Sequence, residues 1–247
     1  MSYRLEPTTP KGFGEMQKAF YHAMASTTAR SIDVRRFREQ LGRVSERTPF
    51  SFPAGLVPHH FRRAAVLLPF WESRGDICVA LIRRAESLRI HPGEVAFPGG
   101  IVDEGESFTE AAVREAHEEI DLDPTCIEFF GRLDDAWSGF GHHIAPVVAW
   151  LSAPPKLTPN PAEVAEVLAA PLSQILLPEA RSVEELSVAG LSYTNVTLRW
   201  SGGSVDRLFA ELLLEAIEWG LGDQPSPGPV RLQSMLDQHE ILSEARR

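Results

Sequence analysis

Residues 100–122, GIVDEGESFTEAAVREAHEEIDL, decide how the rest of the chain is read. Three carboxylates, Glu115, Glu118 and Glu119, fall near the end of this stretch. A helix turns about 100° per residue, so relative to Glu115 the other two lie at about −60° and about +40°, on one face. Like charges at i,i+3 and i,i+4 cost a helix about 0.2–0.5 kcal/mol per pair. A divalent cation turns that repulsion into coordination, because hard ions prefer carboxylate oxygens. Ser107 and Glu110 supply the S-x-x-E signature of a capping box, which starts the helix. Ala112, Val113, Ala116 and Ile120 form its apolar stripe, and the two alanines predict a close approach to a sheet. Asp121 and Pro124 end it. Phe97-Pro98-Gly99-Gly100 comes before the helix, and its glycines allow backbone to come near whatever the glutamates hold.

With those residues in place, the stretch resembles the box of the Nudix hydrolase family, G-x5-E-x7-R-E-U-x-E-E-x-G-U, where U is bulky and apolar. Gly100, Glu106, Arg114, Glu115, Glu118, Glu119 and Leu122 match at the required spacing. At average composition the first six match by chance in only ~10⁻⁵ of chains this long. Two positions depart: Ala116 is small where the box has a bulky residue, and Asp121 replaces the late glycine. Asp tolerates the left-handed conformation better than most non-glycine residues, so the second change reads as modest strain and not as a lost site.

The resemblance implies the α/β Nudix fold, a mixed β-sheet between helices with the box as loop–helix–loop. It also implies hydrolysis of a nucleoside diphosphate linked to another group X. Mg²⁺ or Mn²⁺ held by Glu115, Glu118 and Glu119, with a backbone carbonyl from Gly100, is the implied cofactor. Such an ion neutralises the diphosphate and acidifies an attacking water. Arg114 then positions the glutamates by pairing with Glu106 or with a ligand carboxylate.

The chain of 247 residues suits one domain of about 150 residues plus additions. Apolar content of 43% and charged content of 23% are those of a globular protein with a real core. No apolar run approaches the ~18 residues of a membrane span. The start, MSYRLEPTTPKGFGEMQ, lacks the layout of a secretory signal. Cys78 and Cys126 make no metal-ligand spacing and read as buried thiols in a reducing compartment, so a cytoplasmic location is expected. The net charge of −10 argues against nucleic acid and anionic membranes as partners, but not against a small nucleotide bound at a metal.

Residues 1–63 fall outside the box pattern and read as a helical extension, with helix-like composition over 13–24 and 32–44. Pro49, Pro53 and Pro58 then mark a loop. The extension either packs on the core or serves an interface in a homodimer. Residues 64–220 form the expected Nudix domain, and 221–247 a linker and terminal helix. Within the domain, 64–70 and 77–82 suit two hairpin-like strands.

Arg83, Arg84 and Arg89 follow, and chemistry alone makes them a solvated face or a phosphate contact. RRAESLRIHPGEVAFPGG, residues 83–100, resembles the motif upstream of the box in the coenzyme A pyrophosphatase branch, roughly L-L-T-x-R-[SA]-x3-R-x3-G-x3-F-P-G-G. Arg84, Ala85, Arg89, Gly93, Phe97, Pro98, Gly99 and Gly100 match in register; the leading L-L-T matches only at Leu81. The resemblance implies that this region, with Arg84, Arg89 and Phe97 as substrate residues, contacts the nucleotide moiety of CoA. The planar fork of arginine suits phosphate.

After the box, 127–132 and 143–151 read as strands, joined by LDDAWSGFGHH, whose Trp137 and Phe140 either pack or stack on a ligand. His142 and His143 are not expected as ligands, because a hard ion prefers oxygen. PNPAEVAEVLAAPLSQI, residues 159–175, resembles a segment of CoA-directed relatives. Nudix hydrolases often use a further glutamate outside the box, here Glu163 or Glu166. Glu119, Glu163 and Glu166 all remain open as the general base. Residues 191–200 suit an edge strand and 206–219 an amphipathic helix. That helix region, VDRLFAELLLEAI, lacks the I-W-G-x-T-A start found in CoA-directed relatives, a departure that bears on the substrate and not on the reaction.

Overall fold

A computed structural model describes residues 32–51, 57, 60–138, 141–188 and 191–223, with backbone alone for 185–188 and 191–194. The expected helix at 13–24, Pro53, Pro58, Phe140 and the terminal helix at 230–247 lie outside the described residues.

The described chain opens with helix α1 (Val34–Gly42), capped by the Asp33 carboxylate, which accepts from the Arg36 N–H at 3.0 Å. Strands β1 (Arg62–Ser73) and β2 (Asp76–Arg84) then form an antiparallel hairpin. Short strands β3 (Val95–Ala96) and β4 (Gly99–Ile101) lead into helix α2 (Phe108–Ile120). Next come β5 (Ile127–Arg132), β6 (Ala136–Ser138), β7 (His142–Leu151), β8 (Val164–Pro171) and the one-turn helix α3 (Leu172–Ile175). Strands β9 (Arg181–Val188), β10 (Leu191–Trp200) and β11 (Gly203–Asp206) and helix α4 (Arg207–Leu221) complete it.

The main sheet has eight strands, in the order β3-β2-β1-β7-β5, with β4 on β1, β6 on β7 and β8 on β2. β1 and β7 run parallel and the other pairs antiparallel, so the sheet is mixed, as expected. Strand β1 is buried from Ala64 to Trp71, and its side chains alternate between two cores, as the two-residue period of a strand requires. Ala64, Val66, Leu68 and Phe70 face α1 and α4; Ala65, Leu67 and Trp71 face α2.

The α2 side is built of small residues. Ala65, Ala80, Ala96, Ala111, Ala112, Ala116 and Ala149 all lie in that core, so the helix seats close to the sheet. Ala116 is fully buried there, which gives the first departure from the box a packing reason. Ala111 is buried on this face, and Val113 only half-buried.

On the other face, Phe37, Leu41 and Val44 of the extension enter the core. A Cβ on Gly220 of α4 would lie 2.2 Å from the Phe37 ring, so glycine is what lets α1 and α4 cross this closely. The described part of the extension therefore packs on the domain.

Three expectations are corrected here. Strand β10 is the middle of a three-stranded antiparallel sheet, not an edge, because β9 covers it; RSVEELSV lacks the apolar alternation that would have marked β9 as a strand. The 133–143 segment is not all loop, since β6 pairs with β7 and buries Trp137. Both cysteines are free; Cys78 is buried, and burial pushes its thiol up to about 11, as expected of an inert thiol, whereas Cys126 is only partly buried, which corrects the reading of two buried thiols. Among the described residues, no helix is long and apolar enough to cross a membrane.

Candidate active site

The site forms where the sheet splits. β1 pairs with β2 only at 70–73; nearer its start it pairs with β4 instead, Ala65 opposite Gly100 and Val66 opposite Gly99. The glycine turn is thereby held in the sheet plane, directly under α2. The helix is capped as the sequence implied. The Ser107 side chain accepts from the Glu110 N–H at 3.2 Å, and Glu110 accepts from the Ser107 N–H at 2.9 Å. At the far end Asp121 adopts φ 54°, ψ 35°, so Asp takes the left-handed turn where the box has glycine.

Glu119 is 2% exposed, and its carboxylate accepts from the Gly99 N–H at 2.9 Å. Burial pushes its pKa up to about 8; the Gly99 hydrogen bond and Arg84 oppose the shift, and the Glu115 and Glu163 charges add to it. Glu115 is raised too, again first by burial, with Arg114 opposing and Glu118 and Glu163 adding. These mutual effects place Glu115, Glu119, Glu163 and Arg84 around one region. Glu118, at 56% side-chain exposure, forms the outer member.

Arg114 does what positioning demands. Its fork grips Glu106 at 2.9 and 3.0 Å, reaches the Ile101 carbonyl at 2.9 Å, and holds Glu115 at 2.9 Å and Glu118 at 3.3 Å. The grip holds Glu106 below the usual carboxylate range and ties the 101–106 loop to the helix. Among the described residues, no three carboxylate, imidazole or thiol side chains close on a single point. Glu119 is held by Gly99, and Glu115 and Glu118 by Arg114.

The two outlying glutamates separate. The Glu163 carbonyl accepts from the Ala85 N–H at 2.8 Å, next to Arg84, and the Asn160 N–H donates to the Glu119 carbonyl at 2.8 Å. Those backbone ties bring the Glu163 segment onto the end of α2. Glu166 instead pairs with Arg83 at 3.3 Å. Arg83 and Arg84 are successive in β2, so their side chains leave on opposite faces. Glu166 therefore lies away from Glu119.

Arg84 stands beside Glu119, and its Nε is buried with no hydrogen-bond partner among the described residues. Arg89 is exposed on the loop after β2. Phe97 is 1% exposed, and its ring meets Phe209 edge-on with centroids 6.1 Å apart. It offers a ligand no face, and its place in the core anchors the Pro98-Gly99-Gly100 turn. A Cβ on Gly100 would lie 2.4 Å from the Glu115 carboxylate, so backbone and glutamate meet as the glycine predicted.

Sequence reasoning missed a buried support beside the helix start. His143 Nε2 lies 2.7 Å from Asp135, which also pairs with Arg132. The Phe108 ring meets the His143 ring edge-on, with the Arg63 and Arg132 guanidinium carbons 4.4 and 4.6 Å from its centroid. The His pair was visible in the sequence, but its aspartate partner was not marked by any motif.

A family model described as NUDIX domain matches residues 60–189. The chain is similar to the uncharacterized Nudix hydrolase NudL of Photorhabdus laumondii subsp. laumondii, 35% identical over 166 residues, covering 65% of this chain and 79% of that protein. It is also similar to Nudix hydrolase 22, chloroplastic, of Arabidopsis thaliana, 38% identical over 149 residues, covering 58% of this chain and 49% of that protein. Of solved structures, it is similar to the Nudix hydrolase RenU of M. smegmatis, with 28% identity, a TM-score of 0.41, and coverage of 46% of this chain and 73% of that one. Fold and site define a mixed-sheet α/β protein with a carboxylate-faced helix seated on a glycine turn. The chain belongs to the Nudix family.

Proposed function

We propose that the protein is a Nudix hydrolase of a nucleoside diphosphate linked to X, with CoA or acyl-CoA as substrate and 3′,5′-ADP and (acyl-)4′-phosphopantetheine as products. The observation that carries this reading is the gathering of Glu115, Glu163 and Arg84 around buried Glu119, with the Arg84 Nε buried and without a hydrogen-bond partner among the described residues. An anionic oxygen supplies that partner, and a phosphate of the diphosphate presents one.

The donor set fits a hard divalent ion: Glu115, Glu118 and Glu119 offer carboxylate oxygens, and the Gly100 backbone sits against Glu115 with no room for a side chain. Mg²⁺ or Mn²⁺, when bound, supplies charge neutralisation and an acidified water. The protein's own residues do the rest. Arg84 orients the diphosphate, and Arg114 fixes Glu115 and Glu118. Glu119 or Glu163 takes the proton of the attacking water; Glu166, paired with Arg83, is set aside. Arg84 and Arg89, matching the upstream motif, support CoA.

One observation favours a different nucleotide, such as ADP-ribose or a nucleoside triphosphate: α4 opens with Asp206-Arg207-Leu208 in place of the late motif of CoA-directed relatives. Product chromatography decides. The protein is incubated separately with CoA, ADP-ribose, NADH, diadenosine polyphosphates and nucleoside triphosphates, in Mg²⁺ and in Mn²⁺. Fastest release of 3′,5′-ADP and phosphopantetheine upholds the CoA reading. Intact CoA beside another cleaved diphosphate ends it and keeps the hydrolase; no cleavage in either metal turns the reading to a nucleotide-binding module.

A further inference from the structure

We propose that Phe209, in the first turn of α4, is a positioning residue for the reaction. Its ring reaches through the split in the sheet and backs Phe97, and through Phe97 it holds Gly99 and Gly100 against the glutamates of α2. The inference rests on the hydrolase reading above and adds to it a residue from the opposite layer of the fold, outside the box and outside the upstream motif.

Phe209 is half-buried. It packs against both apolar cores, and among the described half-buried apolar side chains it alone does so. Helix α4 lies on the α1 side of the main sheet, so a side chain of α4 reaches the α2 side only through a gap between strands. The sheet opens such a gap at the site, where β1 leaves β2 and pairs with β4 instead. Phe97 lies there, in the link from β3 to β4. The two rings meet edge-on, with centroids 6.1 Å apart and planes at 76°. That is a favoured arrangement for an aromatic pair, because the positive edge of one ring faces the negative face of the other.

Local forces do not fix this start of α4. Asp206 makes no side-chain capping bond, and Arg207 sits at φ 51°, a left-handed angle that costs a non-glycine residue energy. Tertiary contacts hold it. Strand β11 pairs with β10, lies against β3 and leads straight into the helix, and the Phe209 ring stands against Phe97.

From Phe97 the chain leads directly into the chemistry. The Leu67 N–H donates to the Pro98 carbonyl at 2.8 Å, and the Gly99 N–H donates to Glu119 at 2.9 Å. On the β1 side the turn has no slack, since a Cβ on Gly99 would lie 2.3 Å from the Ala65 carbonyl oxygen. Phe97, backed by Phe209, is its support from the α4 side. Removing the Phe209 ring opens a void there, and the lining of a void relaxes partly into it. Phe97 then shifts, and the Gly99 N–H is drawn off Glu119. Most of the burial that docks α4 lies elsewhere, at Leu212, Leu213, Ala216 and Ile217, all fully buried. Loss of Phe209 therefore disturbs the site more than the fold.

The test compares wild type, Phe209→Ala, Phe209→Leu and Ile217→Ala, the last a cavity in the same helix about two turns further from the site. On whichever diphosphate wild type cleaves, kcat should fall by about tenfold to 10²-fold in Phe209→Ala with KM nearly unchanged, because the displaced groups act on the transition state. Phe209→Leu refills part of the volume and should recover part of the rate; it carries the comparison alone if Phe209→Ala does not fold. Ile217→Ala should lower Tm at least as much and leave kcat near wild type. Wild-type kcat in both Phe209 variants, or an equal loss of kcat in Ile217→Ala, overturns the inference. Amide exchange followed by NMR gives a readout besides activity. Relative to the amides of β7, those of Leu67 and Gly99 should exchange faster in the Phe209 variants and not in Ile217→Ala. If wild type cleaves no diphosphate, the hydrolase reading fails and exchange alone decides: acceleration confined to Leu67 and Gly99 keeps the positioning role, and protection equal to wild type ends it.

Discussion

Replacing Gly100 by alanine tests the site with the smallest possible change. The Cβ would lie 2.4 Å from Glu115 Cδ and Oε1 and 2.7 Å from Oε2. Carbon contacts are comfortable at about 3.5 Å, so the carboxylate must withdraw by roughly 1 Å. The backbone needs no left-handed angle at this position, so the substitution brings no strain of its own. Fold stability should therefore change little, because the far end of a side chain can move. The rate should not be spared: a displacement of about 1 Å in a reacting constellation costs on the order of 10²-fold.

Gly99→Ala is the control. Its Cβ would meet the Ala65 carbonyl oxygen at 2.3 Å and Val66 Cα at 2.7 Å, which are sheet backbone and cannot step aside. Overpacking of this kind costs about 1–3 kcal/mol or more and should lower Tm. The assay is kcat on the cleaved diphosphate together with a thermal melt of each variant. Wild-type kcat in Gly100→Ala would refute the placing of Glu115 against the glycine turn as part of the catalytic centre. A Gly100→Ala protein as unstable as Gly99→Ala would refute the claim that the carboxylate yields.

Three further outcomes are expected. Glu119→Gln keeps the shape of a buried group bound to the Gly99 N–H and removes its ability to ionise, so kcat should fall by about 10²–10⁴-fold with the fold intact; rapid turnover in the variant would exclude Glu119 from the chemistry. Arg114→Lys retains the charge but loses the fork that grips Glu106, so kcat should drop by at least about tenfold while circular dichroism stays unchanged; equal kcat would make the fork dispensable. Glu218 on α4 is 3% exposed, and burial, then Asp223, push its pKa up to about 8, with Arg181 opposing. Between pH 4.5 and about 8 the folded state keeps a proton that the unfolded state has released, so this group makes stability fall as pH rises. Full expression of that shift is on the order of 5 kcal/mol. Glu218→Gln should therefore match wild type in urea unfolding near pH 5 and exceed it near pH 9; parallel pH profiles would refute the buried-acid account.

The box was legible because its chemistry constrains both residue type and spacing. Three glutamates on one helical face, a capping serine and a glycine turn can be read without a structure, and each is found where the spacing put it. The strands of the main sheet were legible for the same kind of reason, since β1 and β7 are continuous apolar runs. Strand β9 was not, because RSVEELSV belongs to a small outer sheet and carries charges along its length. Phe97 shows a different failure. It sits in the motif that carries the expected substrate arginines, yet in the link between β3 and β4 its ring turns into the core against Phe209 of α4. A motif records which positions are fixed, and it does not distinguish the side chain that touches a ligand from one that holds the turn in place.

Glu163 and Glu166 carry this point further, because they were equal in the sequence and are unequal in the fold. Three residues apart, they straddle the start of β8, with Glu163 just before the strand and Glu166 within it. A β-bulge lies between Arg83 and Arg84 in the pairing of β2 with β8, so that Arg83 faces Glu166 while Arg84 faces Val164. The irregularity lets Glu163 approach the end of α2 while Glu166 is taken by Arg83 on the opposite face. No composition or spacing rule announces a bulge at that step. It depends on how β8 docks against β2 with the Asn160 N–H bonded to the end of the helix. The choice of outlying glutamate is thus a property of strand register and not of local sequence. Exchanging the two by mutation, Glu163→Gln against Glu166→Gln, should therefore reduce kcat only in the first; a loss confined to the second would mean that the register at Arg84 does not govern which glutamate serves.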